Sequence, residues 1–496
     1  MTGPAPLIYL ETLGCPKNKA DSRQIRGMLT EGGYAFTDSP GEASVIILNT
    51  CGFIDAAKEE SIQRALELAR WKKDGLCRLL VMFGCLVQRH GAQLARAMPE
   101  VDLFLGVFEW ETLLDRVSEF YKDTHTQAEA GKKAAVSEVS ADKPAGKLFA
   151  RPGPARDYRA AWSVASPQSH TGYIKIAEGC PRRCAFCVIP GIRGGYRSRA
   201  RSDIIEEVSL RVAHGLREAV IVAQDTGYYG KDLKPAATLA GLIRELSDIG
   251  GLQWIRVMYC CPEEVDDELI EAMRLPKVCP YLDIPFQHID DDILRRMGRT
   301  TDSGMIKGLM EKLRARVEGI VIRTTLMVGF PGETEKAFLS LMDFLDEYHP
   351  ERAGFFAFSP QEGTPAKGMK GQIPGLEKER RLDLALAKRD LILARWQDSL
   401  VGKTISVIVD KAEGDGIGSG SGSRDYDARA SDSRASDSSR DVCLYEGRSI
   451  WDAPDIDGLV CFSAKAGVRA GDIVKVKITH SSDYILTGEI ENESCQ

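Results

Sequence analysis

The chain has 496 residues, 43% of them apolar and 28% charged, which is the balance of a soluble globular protein long enough for about three domains. A formal net charge of −7 gives it no overall basic field to hold nucleic acid by counterion release. No run approaches the ~18 apolar residues of a membrane span and the first residues lack a signal-peptide pattern, so a cytoplasmic protein is expected, in which thirteen cysteines point to metal or catalysis before disulfides.

In residues 6–122, short apolar runs at 7–10, 44–48 and 78–83 alternate with longer amphipathic stretches, which predicts a parallel sheet flanked by helices. Residues 123–165 are rich in Lys, Ala, Ser, Gly and Pro without a sustained apolar period and read as a linker. A second alternating block spans 166–395, with strands expected at 173–177, 219–223, 254–259, 281–284, 320–327 and 354–358 and helices at 203–214, 239–246 and 306–317. Six such units predict an incomplete (βα)6 barrel, with chemistry at the carboxyl ends of its strands. Residues 398–490 carry strand-like runs at 405–409, 473–478 and 484–489 with no long helix between them, which suits a small antiparallel β-barrel. Within it, residues 414–440 are a Gly, Ser, Asp and Arg repeat that buries too little apolar surface to offset its ordering entropy, and a disordered insertion is expected. The fold class is α/β multidomain.

Cys180, Cys184 and Cys187 form C-x3-C-x2-C directly after the first barrel strand. Thiolates are natural iron-sulfur ligands, and three cysteines on a 4Fe-4S cube leave one iron open to an exogenous ligand. A zinc site would want a fourth ligand at a recognisable spacing, which His170 and His214 do not supply. A chance trio of buried cysteines fits poorly with a loop made of Arg182, Arg183, Gly191, Arg193, Gly194 and Gly195. From residue 172 to 395 the chain resembles the radical S-adenosylmethionine (SAM) superfamily, which this spacing defines. The resemblance implies SAM bound at the open iron and cleaved by one electron to methionine and a 5′-deoxyadenosyl radical.

The ends of the other strands offer further candidates. Gln224 and Asp225 follow strand two, Pro285, Gln287 and His288 follow strand four, and Arg323 and Thr325 lie in strand five ahead of Gly329, Pro331 and Gly332. Gln224, Gln287, Arg323 and Gly329 are taken as SAM contacts, with barrel packing or loop capping the alternative for each, and His288 is a candidate general base.

Cys15, Cys51 and Cys85 each stand just past one expected strand of the first domain, beside Gly14, Gly52 and Gly84. The strand ends of an open α/β sheet line one crevice, so three sulfurs can converge there; single cysteines at such places are also often small buried hydrophobes. The segments TLGCPKNKAD (12–21), NTCGFIDAAKEESI (49–62) and FGCLVQ (83–88) resemble the methylthiotransferase family. The resemblance implies that these three cysteines hold a second 4Fe-4S cluster with an open iron, and that the domains are a cluster-bearing α/β domain, a radical SAM barrel and a C-terminal TRAM barrel. Cys77, Cys260, Cys261, Cys279, Cys443, Cys461 and Cys495 match no ligand position, Cys260 and Cys261 being the first suspects otherwise.

Two branches of this family differ in substrate, one modifying an adenosine of tRNA and the other an aspartate of ribosomal protein twelve of the small subunit. CPKN (15–18), GFIDAAKEES (52–61), AQDTGYYG (223–230), RTTLMVGFPGET (323–334) and DAPDIDG (452–458) are similar to the second. Residues 398–496 hold 18 acidic against 11 basic residues, a surplus equal to the whole net charge, which suits a basic ribosomal protein better than RNA. The resemblance therefore implies methylthio transfer to the β-carbon of an aspartate: one SAM methylates a sulfur species on the first cluster, a second yields the radical that removes a β-hydrogen, and the carbon radical captures the methylated sulfur. A reducing electron donor and a sulfur donor are implied partners. Trp451, Asp452, Asp455 and Asp457 are the expected edge for the protein substrate, a plain surface turn being the alternative. A tRNA adenosine methylthiotransferase is the other enzymatic reading, and an iron-sulfur electron carrier or RNA-binding module fits less well because electron carriers need no open iron.

Overall fold

The structure, a computed structural model, describes residues 6–109, 112–120, 147–149, 169–412, 442–465 and 467–491. Runs of Val, Ile, Leu and Phe buried on both faces make the first sheet, as parallel strands covered by helices on both sides require. Its strands are β1 (Leu7–Thr12), β2 (Ala35–Phe36), β3 (Val45–Thr50), β4 (Leu79–Gly84), β5 (Leu103–Leu105) and β6 (Lys147–Phe149), in the order β2-β1-β3-β4-β5-β6 and parallel throughout. The strand β6 falls inside the expected linker, so that segment adds an edge to the sheet instead of merely spacing two domains. The rest of the linker, and the insertion at 414–440, lie outside the described residues. Helices α1 (Pro16–Glu31), α2 (Asp55–Ala69) and α3 (Cys85–Ala97) each start within a few residues of a strand's carboxyl end. Pro16 at the first turn of α1 has the φ a helix start needs and no N–H to leave unpaired.

The middle unit is the expected incomplete barrel. Its strands are β7 (Thr171–Lys175), β10 (Glu218–Val222), β11 (Trp254–Val257), β12 (Val278–Asp283), β13 (Val321–Val328) and β14 (Arg352–Ala357), all parallel and adjacent in chain order. Between β7 and β10 a short antiparallel pair, β8 (Ala177–Glu178) with β9 (Arg197–Ser198), frames the cysteine loop and its helix α4 (Ile189–Arg193). Five helices outside the sheet begin at side-chain caps: Thr238, Asp266, Asp290, Asp302 and Thr334 each accept a backbone N–H of the first turn.

Five strands form the last unit, β15 (Thr404–Ala412), β16 (Val442–Ser449), β17 (Leu459–Lys465), β18 (Ile473–Ser482) and β19 (Ile485–Ile490), closed in the order β15-β16-β17-β19-β18. The barrel is antiparallel except where β17 runs parallel to β19. It does not stand apart. Ile408, Ile450, Trp451, Ala453 and Ile456 pack onto Val220, Val222, Trp254, Met258, Cys279, Tyr281 and Val321, the inner wall of the open (βα)6 sheet. Glu218, fully buried at the foot of β10, lies 2.8 Å from Arg256 and 2.7 Å from Arg448 of the small barrel. Among the described residues no helix is long and apolar enough to cross a membrane.

Candidate cluster-binding active site

Each N-terminal cysteine sits where a strand hands over to a helix: Cys15 caps α1 after β1, Cys51 follows β3, and Cys85 opens α3 after β4. The loops touch one another. A Cβ on Gly14 would lie 2.7 Å from the Cβ of Cys51, and one on Gly52 would lie 2.7 Å from the Cα of Leu86. Gly84 has φ +110°, a conformation essentially reserved for glycine, and a Cβ there would meet the Asn49 Oδ1 at 2.6 Å and the Thr50 carbonyl at 2.8 Å. The Asn18 side chain stitches the first loop to the second, donating to the carbonyls of Leu13 at 2.9 Å and Thr50 at 3.3 Å. Phe53, Val107, Phe108, Val188 and Ile192 wall in Cys85. Burial pushes the Cys51 thiol up to about 12 and raises that of Cys85, while both feel the charge that Cys15 would carry.

The second triad occupies the loop from β8 to α4. Gly179, at φ +80°, lets the loop fold back on itself, since a Cβ there would sit 2.1 Å from the Gly195 carbonyl. Ala185 donates to the carbonyl of Met297 at 2.8 Å, pinning the middle of the loop. Burial raises the Cys180 thiol to about 11 and that of Cys187 to about 12. Arg299 donates to the Sγ of Cys184 at 3.8 Å and to that of Cys261 at 3.8 Å, so one of the two suspected cysteines after β11 does lie beside this triad.

A buried polar network joins the triads. Arg193, 2% exposed at the end of α4, donates to the Cys85 Sγ at 3.3 Å, the Asn18 Oδ1 at 2.9 Å, Asp21 at 2.8 Å and Glu178 at 3.1 Å. Lys175, at the end of β7, pairs with the same Asp21 and with Glu178 at 2.6 Å. The network was invisible in the sequence beyond Arg193 being one of several polar residues in its loop. Nearby, Lys17 reaches from the Cys15 loop to the barrel and places its ammonium 3.5 Å from the ring centre of Tyr259.

The donor chemistry fits two iron-sulfur clusters. Among the described residues no three His, Cys, Asp or Glu side chains close on a single metal ion. A four-iron cube instead takes its thiolates at separate corners, and three per site leave one iron open. Coordination would also remove the protons that burial otherwise keeps on Cys51, Cys85, Cys180 and Cys187.

The remaining candidates divide. Gln224 and Gln287 each bury a side-chain oxygen that has no partner, Gln224 donating to Glu178 at 3.3 Å and Gln287 adopting φ +71°. Both are suited to a bound polar molecule. Arg323 lies on the inner wall, already paired with Asp283 at 3.2 Å and Asp457 at 3.5 Å. The space beside Gly329 is filled by the stem of Lys378 and its N–H goes to Glu333, so packing accounts for this glycine. His288 accepts the Asp290 N–H on Nδ1 at 2.9 Å and faces Glu333 through Nε2 at 3.4 Å; with both ring nitrogens engaged in the protein, it has none to offer as a general base. Asp225 is buried against Arg182 at 3.0 Å and accepts the Cys261 N–H.

Of the four residues of the expected recognition edge, Asp452 and Asp457 are taken up inside the protein and Asp455 stays exposed. Trp451 packs edge-on to Trp396 at 5.9 Å and donates to the Gly319 carbonyl at 2.9 Å. Asp452 is 1% exposed and ion-paired to Arg352. Asp457 accepts from the Tyr281 hydroxyl at 2.7 Å, and Asp455 pairs with Lys19 at 2.7 Å and accepts from the Tyr173 hydroxyl at 3.0 Å. Burial and ion pairing hold Asp452 and Asp457 against the barrel, while Asp455 ties the exposed side of the turn to Lys19 of the first unit.

Residues 7–106 match an uncharacterised protein family designated UPF0004, 174–345 the radical SAM superfamily and 437–490 the TRAM domain. A ribosomal protein uS12 methylthiotransferase RimO of Desulforamulus reducens is 40% identical over 488 residues, 98% of this chain and 99% of that one. The chain belongs to this family. The RimO of Acetivibrio thermocellus matches at the same identity and coverage, and that of an Anaeromyxobacter species at 39% over 98% of this chain and 93% of its own. Among solved structures, the methyltransferase TsrM of Kitasatospora setae aligns over 73% of this chain and 74% of its own at a TM-score of 0.48 and 16% identity. Every segment quoted above for the aspartate-modifying branch lies within the family's reach, since the relatives match across almost the whole chain.

Proposed function

We propose that this protein is a radical SAM methylthiotransferase acting on ribosomal protein uS12, at the β-carbon of an aspartate. Near-full-length likeness to RimO proteins is the observation that carries this reading. In it, Cys15, Cys51 and Cys85 hold one 4Fe-4S cluster, and Cys180, Cys184 and Cys187 hold the other, where SAM binds, with the buried, unpartnered oxygens of Gln224 and Gln287 available to SAM or substrate. Bound there, the two groups supply one-electron cleavage of SAM and a carrier for the transferred sulfur. The chain's own part is placement. The Arg193 and Lys175 network sets the N-terminal cysteines against the barrel loop, Phe53, Val107 and Phe108 keep water from Cys85, and the small barrel stops the inner wall from below. An external reductant and a sulfur donor complete the reaction, which takes place in the cytoplasm, where ribosomes are.

The test is mass spectrometry of uS12 and of tRNA nucleosides from cells with and without the gene. A methylthio group on a uS12 aspartate that disappears with the gene, while tRNA is unchanged, is the expected result. Loss of a methylthioadenosine with uS12 unaffected would replace this reading with the tRNA branch.

A further inference from the structure

Lys17 is a charge the mechanism has not yet used. It stands two residues after Cys15, and its side chain crosses to the barrel, where the ammonium rests on the face of Tyr259. Tyr259 follows β11 and holds φ +59°, an uncommon conformation for a side chain of its size, which turns the ring toward the N-terminal domain. The pair links the loop of Cys15 to the carboxyl end of β11, two residues before Cys261, which shares the Arg299 guanidinium with Cys184 of the other triad. Among the described residues Lys17 forms no ion pair. The nearby carboxylate of Asp283 is turned to Arg323 at 3.2 Å and makes no ion pair with Lys17. A half-buried lysine held on a ring face, with its N–H donors unanswered by a carboxylate, is a ready anion site.

Resting on the reading of uS12 as substrate, we propose that Lys17 binds the side-chain carboxylate of the target aspartate and so determines specificity for an acidic residue. The charge pair would fix the carboxylate and leave the neighbouring β-carbon between the two cysteine triads, the place where hydrogen removal and sulfur transfer both have to occur. A neutral asparagine, similar in shape, would lose the attraction.

The experiment uses anaerobically reconstituted full-length protein as wild type, Lys17→Met and Lys17→Arg. Dissociation constants are measured for uS12 and for uS12 carrying Asn at the position that wild type modifies, with KM and kcat for methylthiolation of the natural form. Lys17→Met should weaken binding of natural uS12 by roughly tenfold or more, as loss of a close charge pair does. It should leave binding of the Asn form unchanged and raise KM more than it lowers kcat, while Lys17→Arg recovers much of the loss. Equal weakening toward both forms, unchanged affinity for the natural one, or loss of iron from the N-terminal triad in Lys17→Met would each overturn the proposal. Wild type that modifies tRNA but not uS12 would remove the functional reading itself, and this inference with it.

Discussion

Arg193 reaches a sulfur of one triad from the loop that carries the other, and its guanidinium is surrounded by Asn18, Asp21, Glu178 and Cys85 with almost no water. Breaking a buried charge network by removing one member typically costs about 3–5 kcal/mol, because the partners stay buried and unpaired. Arg193→Met is therefore expected to lower the thermal midpoint clearly and to reduce the iron retained by a Cys180, Cys184, Cys187 triple Ala background, which isolates the N-terminal site. A variant that melts like wild type and keeps full iron would show that the arginine does not join the domains. At this scale Cys180, Cys184 and Cys187 stood out as candidate ligands through their local spacing, whereas Cys15, Cys51 and Cys85, far apart in the chain, stood out only through their places past strands and through resemblance. Arg193 did not, since its partners Cys85 and Asp21 stand 108 and 172 positions away. His288, a candidate only by its place after a barrel strand, has its two nitrogens taken by the neighbouring Asp290 N–H and by Glu333.

Loops that hand a strand to a helix are where this protein does its work, and their tightness rests on a few backbone conformations. Gly84 joins β4 to α3 at φ +110° and ψ −155°, a region open essentially to glycine alone, where other residues cost about 1–3 kcal/mol before any clash is counted. Gly84→Ala would also push a methyl into the Asn49 amide and the Thr50 carbonyl, moving the loop of Cys51. The expected outcome is a destabilised N-terminal domain, read by chemical denaturation, and weaker iron loading at that site alone; normal loading would mean the handover tolerates adjustment. Strands of five or more residues with apolar runs were readable in the sequence, and the six barrel strands came out within a few residues of their true ends. The two-residue β2 and three-residue β5 and β6 are too short to show a period, whereas β17, LVCFSAK, does carry a readable apolar run and β16, VCLYEGRS, has its run cut short by Glu446 and Gly447.

At the scale of the whole molecule, the acidic balance of the C-terminal region has a second explanation besides a basic partner. Asp410, Asp452, Asp455 and Asp457 answer His170, Arg448, Arg352, Lys19 and Arg323 within the protein. The same seam makes stability depend on pH. Burial alone would raise the Glu218 carboxyl, but the guanidinium groups of Arg448 and Arg256 outweigh it and hold its pKa below the ordinary value. A depressed carboxylate contributes stability that is complete above its unfolded value, about 4.3, and is lost as the pH falls through the lower folded one. Glu218→Gln should thus be less stable than wild type by about 3 kcal/mol at pH 7. The gap should narrow in acid, as wild type loses the same charge. Denaturation curves at both pH values make the comparison, and a gap that stayed constant would assign the loss to something other than charge.

The small barrel's seat on the inner wall also orders the protein's history. Residues 6–120 can bury most of their own apolar sheet as soon as they leave the ribosome, but Val220, Val222, Trp254, Tyr281 and Val321 have their cover in residues 408–456. A nascent chain that has just completed the (βα)6 sheet therefore exposes a wet apolar trough with open strand ends above it, and keeps it until the last quarter of the sequence has been made. For that interval the middle of the molecule depends on whatever else in the cell covers hydrophobic surface, and translation speed across residues 395–460 sets how long the dependence lasts.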